Sequence, residues 1–282
     1  MKDKYQKIIK HINEADAILI GASNGLSISE GYHIFAEDEA FLAYFSEFRI
    51  RYGISSIVQG AFFPFPTIEE RWAFTSSIYA YFSREEKVSN VVKNLYELLK
   101  EKNYFIVTSN TDGHLTQAGF ENERLFEIEG NSNHLQCKQA CHDHIYAGEE
   151  VLQVMFEQKE NGRVSTELMP ICPECGGDMQ VHVEVDRNFI KGEAWQASFQ
   201  AYQDFIKQAN GKNLVLLELG VGARNQLIKA PFMKLTHLEP NATYITLNKG
   251  QVYIPEVILS KSIGIDADLA EVLEQLVQSS DK

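Results

Sequence analysis

Short apolar segments alternate with helical segments along most of the chain, and this alternation constrains the fold more than any other feature. The first apolar segment, 17–20, runs directly into the loop GASNGLSISEG, which is rich in small residues. The other segments predicted as strands are 104–108, 125–128, 214–219, 244–247 and 262–265. Strands that alternate with helices predict a Rossmann-like α/β fold, a mostly parallel sheet with helices on both faces.

The loops at the carboxyl ends of these strands are the expected place for function, because ligands of such sheets bind there. The strand-ending positions are 20, 108, 128, 219 and 247. The first loop joins a strand to a helix through glycines, an arrangement that presents backbone N–H groups to phosphate. Many strand-to-helix turns contain glycine, so this loop alone is weak support for a nucleotide site.

The domain organisation follows from the length and from a change in regularity. A chain of 282 residues suits one large domain with a small insert, or two modest domains. We predict a Rossmann-like domain over 1–133 and 187–282, carrying a helical insert over about 36–100, and a small domain over 134–186 that contains the cysteines.

Composition limits the partners and the location. The net charge of −13 opposes nucleic-acid binding, which needs a cationic face. The first residues are charged throughout and contain no apolar signal core, and no run approaches the roughly 20 apolar residues of a membrane span. We therefore expect a cytoplasmic protein with no nucleic-acid and no membrane partner.

The four cysteines form two close pairs that predict a metal site. Three residues separate the first pair, two separate the second, and 30 lie between the pairs, in the order Cys137, Cys141, Cys172 and Cys175. This pattern favours one closed, tetrahedral Zn²⁺ of structural type rather than disulfides. The nearby side chains that remain alternatives for one ligand are His134, His142 and His144.

Read in order, the loops resemble the motif series of the sirtuin family. The segment TSNTDGHLTQAG at 108–119 resembles the family's Thr-Gln-Asn-Ile-Asp-Gly-Leu-His, which is followed by Ala-Gly. The residues GLS at 25–27 stand where sirtuins have Gly-Ile-Ser, and EIEG at 127–130 where they have Glu-Leu-His-Gly. TLN at 246–248 stands in place of Ile-Asn. The match spans nearly the whole chain, which makes it more specific than any single motif.

This resemblance implies that NAD is a co-substrate bound by the Rossmann-like domain. Asn110 and Asp112 match the pair that holds the ribose and the nicotinamide amide, where fixed orientation favours departure of nicotinamide. The alternative is that they only shape the turn before Gly113. The cofactor contacts that the resemblance implies are Ala22, Ser23, Gly25, Ser27, Phe35, Ser109, Asn110, Asp112, Gly220, Gly222, Asn248 and Asp266.

Four of these positions follow the later predicted strands. Asn248 follows a predicted strand and is expected to bond the adenosine ribose. Gly220 and Gly222 allow the backbone to approach the cofactor closely. Asp266 is expected to border adenine and to cap the last helix, and capping alone would also explain it.

Several departures from the family pattern bear on the reaction. The family's Pro-Asp-Phe-Arg reads His-Ile-Phe-Ala at 33–36, and its Gly-Thr-Ser reads Gly-Val-Gly at 220–222. A Phe-Gly-Glu segment that pairs with the substrate peptide is absent, and the family's catalytic histidine is Glu129. These departures resemble the macrodomain-linked class M sirtuins of bacteria, which implies mono-ADP-ribosylation of a lipoyl-carrier protein.

Glu129 decides which reaction is predicted. A glutamate with a reference pKa of about 4.3 is a poorer base for deacetylation than a histidine of about 6.5. It suits charge stabilisation, orientation of a ribose hydroxyl, or deprotonation of a nucleophile, although a solvated strand-end glutamate is the alternative. The predicted catalytic residues are Asn110, Asp112 and Glu129.

The predicted function is an NAD-dependent protein mono-ADP-ribosyltransferase of sirtuin type that releases nicotinamide. The resemblance implies a lipoylated carrier, similar to the glycine-cleavage H protein, as its acceptor. Three alternatives remain open: an NAD-dependent deacylase that uses another base, an NAD hydrolase without an acceptor, and a non-catalytic NAD sensor.

Overall fold

The computed structural model describes residues 2–84 and 88–280. The strands are β1 Ala17–Ala22, β2 Tyr104–Thr108, β3 Leu125–Glu127, β4 Gly130–Cys137, β5 Tyr146–Ala147, β6 Met179–Val183, β7 Leu214–Leu219, β8 Ala242–Leu247 and β9 Ser262–Ile265. The α-helices are α1 Lys2–Glu14, α2 Asn24–Ser29, α3 Glu39–Tyr52, α4 Ile57–Ala61, α5 Ile68–Phe82, α6 Asn90–Leu99, α7 His114–Gln117, α8 Glu149–Gln158, α9 Glu193–Ala209, α10 Gln226–Leu238 and α11 Leu269–Ser280. Short 3₁₀ helices lie at Asn122–Arg124, Thr166–Leu168 and Glu256–Lys261.

These elements fall into two compact units. The first takes the described residues up to Gly31, those of Val88–Glu129, and those from Glu193 onward; the second takes Tyr32 to Arg84 and Gly130–Gly192. None of the described helices is both long and apolar enough to span a bilayer.

The first unit is built on a six-stranded parallel sheet in the order β3-β2-β1-β7-β8-β9. This confirms the predicted fold class. The bounds of β2, β7 and β9 coincide with the predicted strands, whereas β1 continues to Ala22, which pairs with Leu219 of β7. Strand order reverses between β1 and β7, and ligands of open α/β sheets bind outside the carboxyl ends at that point.

Helices cover both faces of this sheet, which explains why its strands read as continuous apolar runs. Ile18 and Ile20 of β1 pack into a core with apolar side chains of α1, α6 and α11. Ala17 and Leu19 point to the opposite face and pack with α9 and α10. A strand buried on both faces needs no polar alternation.

The second unit combines helices α3, α4, α5 and α8 with a three-stranded antiparallel sheet in the order β5-β4-β6. Its core contains Phe45 of α3, Phe74 of α5 and Leu152 of α8. From the sequence we assigned all helices over about 36–100 to one insert. The structure divides these helices between the two units, because α6 packs on the parallel sheet of the first unit. Helical periodicity marks an apolar face without specifying which element buries it.

Candidate functional site

The candidate site begins at the reversal of strand order, where two loops touch through glycines. The backbone N–H of Gly25, after β1, donates to the carbonyl oxygen of Gly220, after β7, at 3.0 Å. A Cβ added to Gly25 would lie 2.5 Å from the Gly220 Cα atom, and a Cβ on Gly220 would lie 2.5 Å from that of Gly25. No side chain fits between them, so both positions require glycine.

Three predicted site residues form one buried hydrogen-bond network beside this contact. The hydroxyl of Ser27 donates to Oδ2 of Asp112 at 2.6 Å. Nδ2 of Asn110 donates to Oγ of Ser27 at 2.9 Å and to the carbonyl oxygen of Ser23 at 3.2 Å. All three side chains are buried. The network therefore holds the carboxylate and the amide in fixed orientations.

One atom of the network has an unused capacity for hydrogen bonding. Oδ1 of Asn110 is buried and has no hydrogen-bond partner within the described part of the chain. Such an acceptor needs a donor, because burying it unpaired is costly. NAD carries suitable donors in its ribose hydroxyls and its carboxamide N–H₂ group, so the residues present fit this co-substrate.

Asp112 is held from a second side by its own loop. Its Oδ1 accepts from the backbone N–H of His114 at 3.0 Å. The imidazole Nδ1 of His114 lies 3.3 Å from Oε1 of Glu30, and the hydroxyl of Ser89 donates to the other Glu30 oxygen at 2.7 Å. Sequence reasoning did not predict this buried pair, because Glu30 and His114 meet across 84 residues. The carboxylate of Asp112 retains acceptor capacity on both oxygens.

A second polar cluster joins the loops after β1, β2 and β7. The hydroxyl of Ser109 donates to that of Ser23 at 3.0 Å. Nδ2 of Asn225 donates to both hydroxyls, at 3.0 Å to Ser23 and at 2.7 Å to Ser109. The carbonyl oxygen of Ala22 accepts from the Ser109 backbone N–H at 3.2 Å. The motif comparison did not identify Asn225, because the resemblance there extended only over LELGVGAR.

Glu129 lies in the turn after β3, at the same edge of the sheet. The residue before it is fixed at both backbone groups: the N–H of Ile128 donates to Thr108 O at 2.9 Å, and its carbonyl accepts from the Trp195 indole at 3.1 Å. Glu129 is half-buried. Its backbone position is therefore set by the neighbouring strand that leads to Asn110.

The loop after β8 brings Asn248 close to the loop that contains Gly222. The N–H of Asn248 donates to Ile265 O at 3.1 Å, and its Nδ2 donates to Gln251 O at 3.2 Å. Oε1 of Gln251 accepts from the backbone N–H of Ala223, the residue after Gly222, at 3.2 Å. Asn248 is thus oriented by its own loop.

Asp266 has a different partner from the one expected. Its Oδ1 accepts from the backbone N–H of Gly250 at 2.6 Å, and the side chain is exposed. The last helix is capped instead by Asp268, whose Oδ1 accepts from Ala270 N at 3.0 Å. The capping prediction for Asp266 was wrong, because Asp268 immediately precedes the first helical residue, Leu269.

Phe35 belongs to the second unit, unlike the other predicted cofactor contacts. Its side chain is 52% exposed, and its ring stands edge-on to that of His33 with centroids 6.3 Å apart. A contact between Phe35 and a nucleotide stays a prediction.

The four cysteines of the second unit converge on one point. Sγ of Cys137 lies 3.8 Å from that of Cys175, and Sγ of Cys141 lies 3.6 Å from that of Cys172. Tetrahedral Zn²⁺ with Zn–S bonds of about 2.3 Å separates its sulfur ligands by slightly less than 4 Å, so the set fits this ion. Nε2 of His142 lies 3.3 Å from Sγ of Cys172, which makes it the neighbouring histidine with a direct contact to the cluster.

The thiol of Cys137 is prepared for deprotonation. Burial raises its pKa, but hydrogen bonds from the backbone N–H groups of Cys141 and Gln139 outweigh this effect and lower the pKa to about 7. Thiolates are the form that binds metal. Burial and the neighbouring thiols raise the pKa of Cys141, and the pKa of Cys175 is raised as well, so metal binding at the cluster would still release protons.

Comparison with known structures identifies the fold. No protein-family model matches the chain. The structure of Sir2Tm bound to a propionylated peptide aligns with a TM-score of 0.63 at 15% identity, covering 99% of this chain and 99% of that chain. A structure from work on the mechanism and regulation of Sir2 enzymes gives 0.59 at 16% identity, covering 100% and 99%. The predicted resemblance to sirtuins is confirmed as a shared fold.

Two relatives carry names that agree with the predicted class of enzyme. A protein ADP-ribosyltransferase of Staphylococcus aureus is 28% identical over 275 residues, covering 96% of this chain and 87% of that protein. A probable bifunctional ADP-ribose hydrolase/ADP-ribosyltransferase of Fusarium oxysporum f. sp. cubense is 28% identical over 226 residues. That match covers 75% of this chain and 36% of the fungal protein.

Proposed function

We propose that this chain is an NAD-dependent protein ADP-ribosyltransferase of sirtuin type, which transfers ADP-ribose from NAD to an acceptor protein and releases nicotinamide. The observation that carries the proposal is the buried network of Ser27, Asn110 and Asp112, with its unpaired Asn110 oxygen, at the reversal of strand order. The sirtuin fold and the names of both relatives support this class of enzyme.

Each residue of the network has a task in this reaction. NAD supplies the ADP-ribosyl group and the departing nicotinamide. Oδ1 of Asn110 accepts a hydrogen bond from the ribose side of NAD, and Asp112 accepts from the carboxamide N–H₂ group. Ser27 and the His114 N–H hold the carboxylate in place before NAD binds. Orientation that exists before binding lowers the barrier, because less entropy is lost at the reacting step.

Glu129 favours ADP-ribosyl transfer over deacylation. Deacylation requires a base active at neutral pH, for which histidine is better suited than a carboxylate. Direct transfer requires only a polarised ribose carbon and an acceptor held in line, and a negative group near that carbon stabilises the positive charge that develops there. Glu129 stands at the correct sheet edge, on a backbone fixed through Ile128, to provide that carboxylate.

The acceptor and the metal complete the proposal. We take the acceptor to be a lipoylated carrier protein, an assignment that rests on the resemblance to class M sirtuins. The four cysteines hold a structural Zn²⁺, since closed thiolate coordination leaves no position for a substrate. The cytoplasmic location stays a prediction from the amino-acid composition.

Intact-protein mass spectrometry tests the proposed function. The chain is incubated with NAD and a lipoylated carrier similar to the glycine-cleavage H protein, with the unlipoylated carrier and the Asp112→Asn variant as controls. We expect the lipoylated carrier to gain the mass of one ADP-ribose only with the unaltered chain. Release of nicotinamide without a mass gain would indicate NAD hydrolysis. Deacetylation of an acetyl-lysine peptide would indicate a deacylase, and NAD binding without turnover a sensor.

A further inference from the structure

Asn225 occupies the N-cap position of α10 but does not cap that helix. An asparagine at this position ordinarily accepts a hydrogen bond from a backbone N–H of the first helical turn. Here the side chain makes no such bond. Its Nδ2 donates instead to the hydroxyls of Ser23 and Ser109, at 3.0 and 2.7 Å. The amide therefore serves the site rather than its own helix.

The oxygen of the same amide is left unpaired. Oδ1 of Asn225 is buried and has no hydrogen-bond partner among the residues that the structure describes. Both amide hydrogens are taken by the two hydroxyls, and turning the amide over would leave the N–H₂ group unpaired in place of the oxygen. The free acceptor therefore points to a donor that arrives with a ligand.

A buried ion pair holds the start of α10 in place. Nζ of Lys229, in the second turn of the helix, lies 2.5 Å from Oε1 of Glu218 on β7, and neither side chain is exposed. The hydroxyl of Thr246 on β8 donates to the same oxygen at 2.9 Å. The backbone N–H of Lys229 donates to Asn225 O at 3.3 Å. Asn225 is thus attached to a helical turn that is anchored on two strands.

The two unpaired amide oxygens of the site belong to side chains that flank one serine. Asn110 donates to the carbonyl oxygen of Ser23, and Asn225 donates to its hydroxyl. Both side chains thus leave an acceptor free while their N–H₂ groups are occupied. Neighbouring hydroxyls of a ribose supply matching donors. The oxygens of an ionised phosphate are acceptors only and cannot satisfy either amide oxygen.

We propose that Asn225 is a nucleotide-binding residue whose Oδ1 accepts a hydrogen bond from a ribose hydroxyl, while its Nδ2 holds Ser23 and Ser109 in place. This inference rests on the proposed use of NAD and adds a ligand contact from the loop after β7. It assigns a ligand to a side chain for which the motif comparison had no role.

Ligand binding measured by calorimetry tests the inference in the full chain, with NAD and with ADP-ribose, which lacks the nicotinamide leaving group, as probes. Asn225→Leu keeps the shape of the side chain and removes both the acceptor oxygen and the N–H₂ group, whereas Asn225→Asp lacks the N–H₂ group but keeps an acceptor oxygen. We expect Asn225→Leu to weaken binding about tenfold or more, and Asn225→Asp to retain most of the affinity. The control Gln226→Leu alters the exposed next residue and should bind normally.

Analogues of ADP-ribose that lack one hydroxyl of either ribose give a second test, which does not depend on a variant that folds. At least one analogue should bind the unaltered chain about tenfold more weakly than ADP-ribose does. The difference should be smaller in Asn225→Leu, because that variant already lacks the hydrogen bond between Oδ1 and the hydroxyl. Equal binding of every analogue by the unaltered chain would overturn the proposal. So would equal weakening by Asn225→Leu and Asn225→Asp.

These binding measurements separate the inference from the proposed function. They need no acceptor, so failure of ADP-ribosyl transfer leaves their outcome intact. Normal transfer together with unchanged nucleotide binding by Asn225→Leu would overturn the assignment of Asn225 alone. A chain that binds neither NAD nor ADP-ribose would overturn both.

Discussion

Ser27 donates a 2.6 Å hydrogen bond to Asp112, and this bond joins helix α2, which follows β1, to the loop after β2. The same hydroxyl accepts from Asn110, so one serine orients the carboxylate and the amide together. The two segments follow neighbouring strands, β1 and β2, which pair in parallel register up to Ala22 and Thr108. The geometry of the site thus depends on the sheet as well as on the loops.

Replacing Ser27 with alanine should slow transfer, because it removes a predicted cofactor contact and releases the side chains of Asn110 and Asp112. Asp112 would lose the donor to its Oδ2, and Asn110 would lose one acceptor. We expect a fall of roughly tenfold in kcat and a loss of about 1–3 kcal/mol in the free energy of unfolding. Ser29→Ala, in the same helix, removes a bond to Gly25 O only and serves as the control. Normal turnover by Ser27→Ala would contradict the orienting role.

Glu129 should be needed for transfer. Its carboxylate is proposed to stabilise developing positive charge or to accept the proton of the nucleophile, so Glu129→Ala should reduce transfer by roughly 100-fold or more. Glu129→Gln distinguishes these roles. Partial activity would indicate that Glu129 positions a group through hydrogen bonds. A loss as large as that of Glu129→Ala would indicate that Glu129 acts through its charge or as a base. The exposed Glu123→Gln variant is the control, measured by the same mass gain on the carrier. Unchanged transfer in Glu129→Ala would show that the site has been misassigned.

Gly220 should tolerate alanine less well than a glycine of similar backbone conformation. Gly220 has φ of +62° and Gly211 has φ of +73°, so alanine pays a similar conformational cost of about 1–2 kcal/mol at either position. Only at Gly220 does the new Cβ meet backbone atoms, at 2.5 Å; at Gly211 nothing lies within 4 Å. Denaturant unfolding should show an excess loss of about 1–3 kcal/mol for Gly220→Ala. Equal losses of unfolding free energy in Gly220→Ala and Gly211→Ala would mean that the segments after β1 and β7 can move apart without cost.

The cysteine cluster should contain one zinc ion per chain, detectable by elemental analysis. Cys172 is buried, so Cys172→Ser should lower the thermal midpoint of unfolding as well as the zinc content, because metal binding here contributes to folding. His142→Ala removes the imidazole nearest to Cys172 and should retain one zinc. A metal-free chain with unchanged stability would refute the metal site. Loss of zinc in His142→Ala would mean that His142 is a zinc ligand and that the set is not four cysteines.

The sequence alone determined the class of fold and the order of the site loops. Strands β2 and β7 are recognisable as mostly apolar runs because helices cover both faces of the parallel sheet and bury consecutive residues. The cysteine spacing likewise predicts a cluster, since each pair is local in the chain. Glu129, Asn110 and Asp112 were predicted as site residues from the resemblance of their loops to sirtuin motifs.

The tertiary structure decided which of these side chains meet and what else joins them. Asn225 donates to Ser23 across 202 residues and to Ser109 across 116, and no local pattern encodes either bond. Gly25 and Gly220 touch only because β1 and β7 are neighbours in the sheet. Contacts of this kind arise where strand order places distant loops at one edge, and the chain cannot specify them through periodicity or spacing.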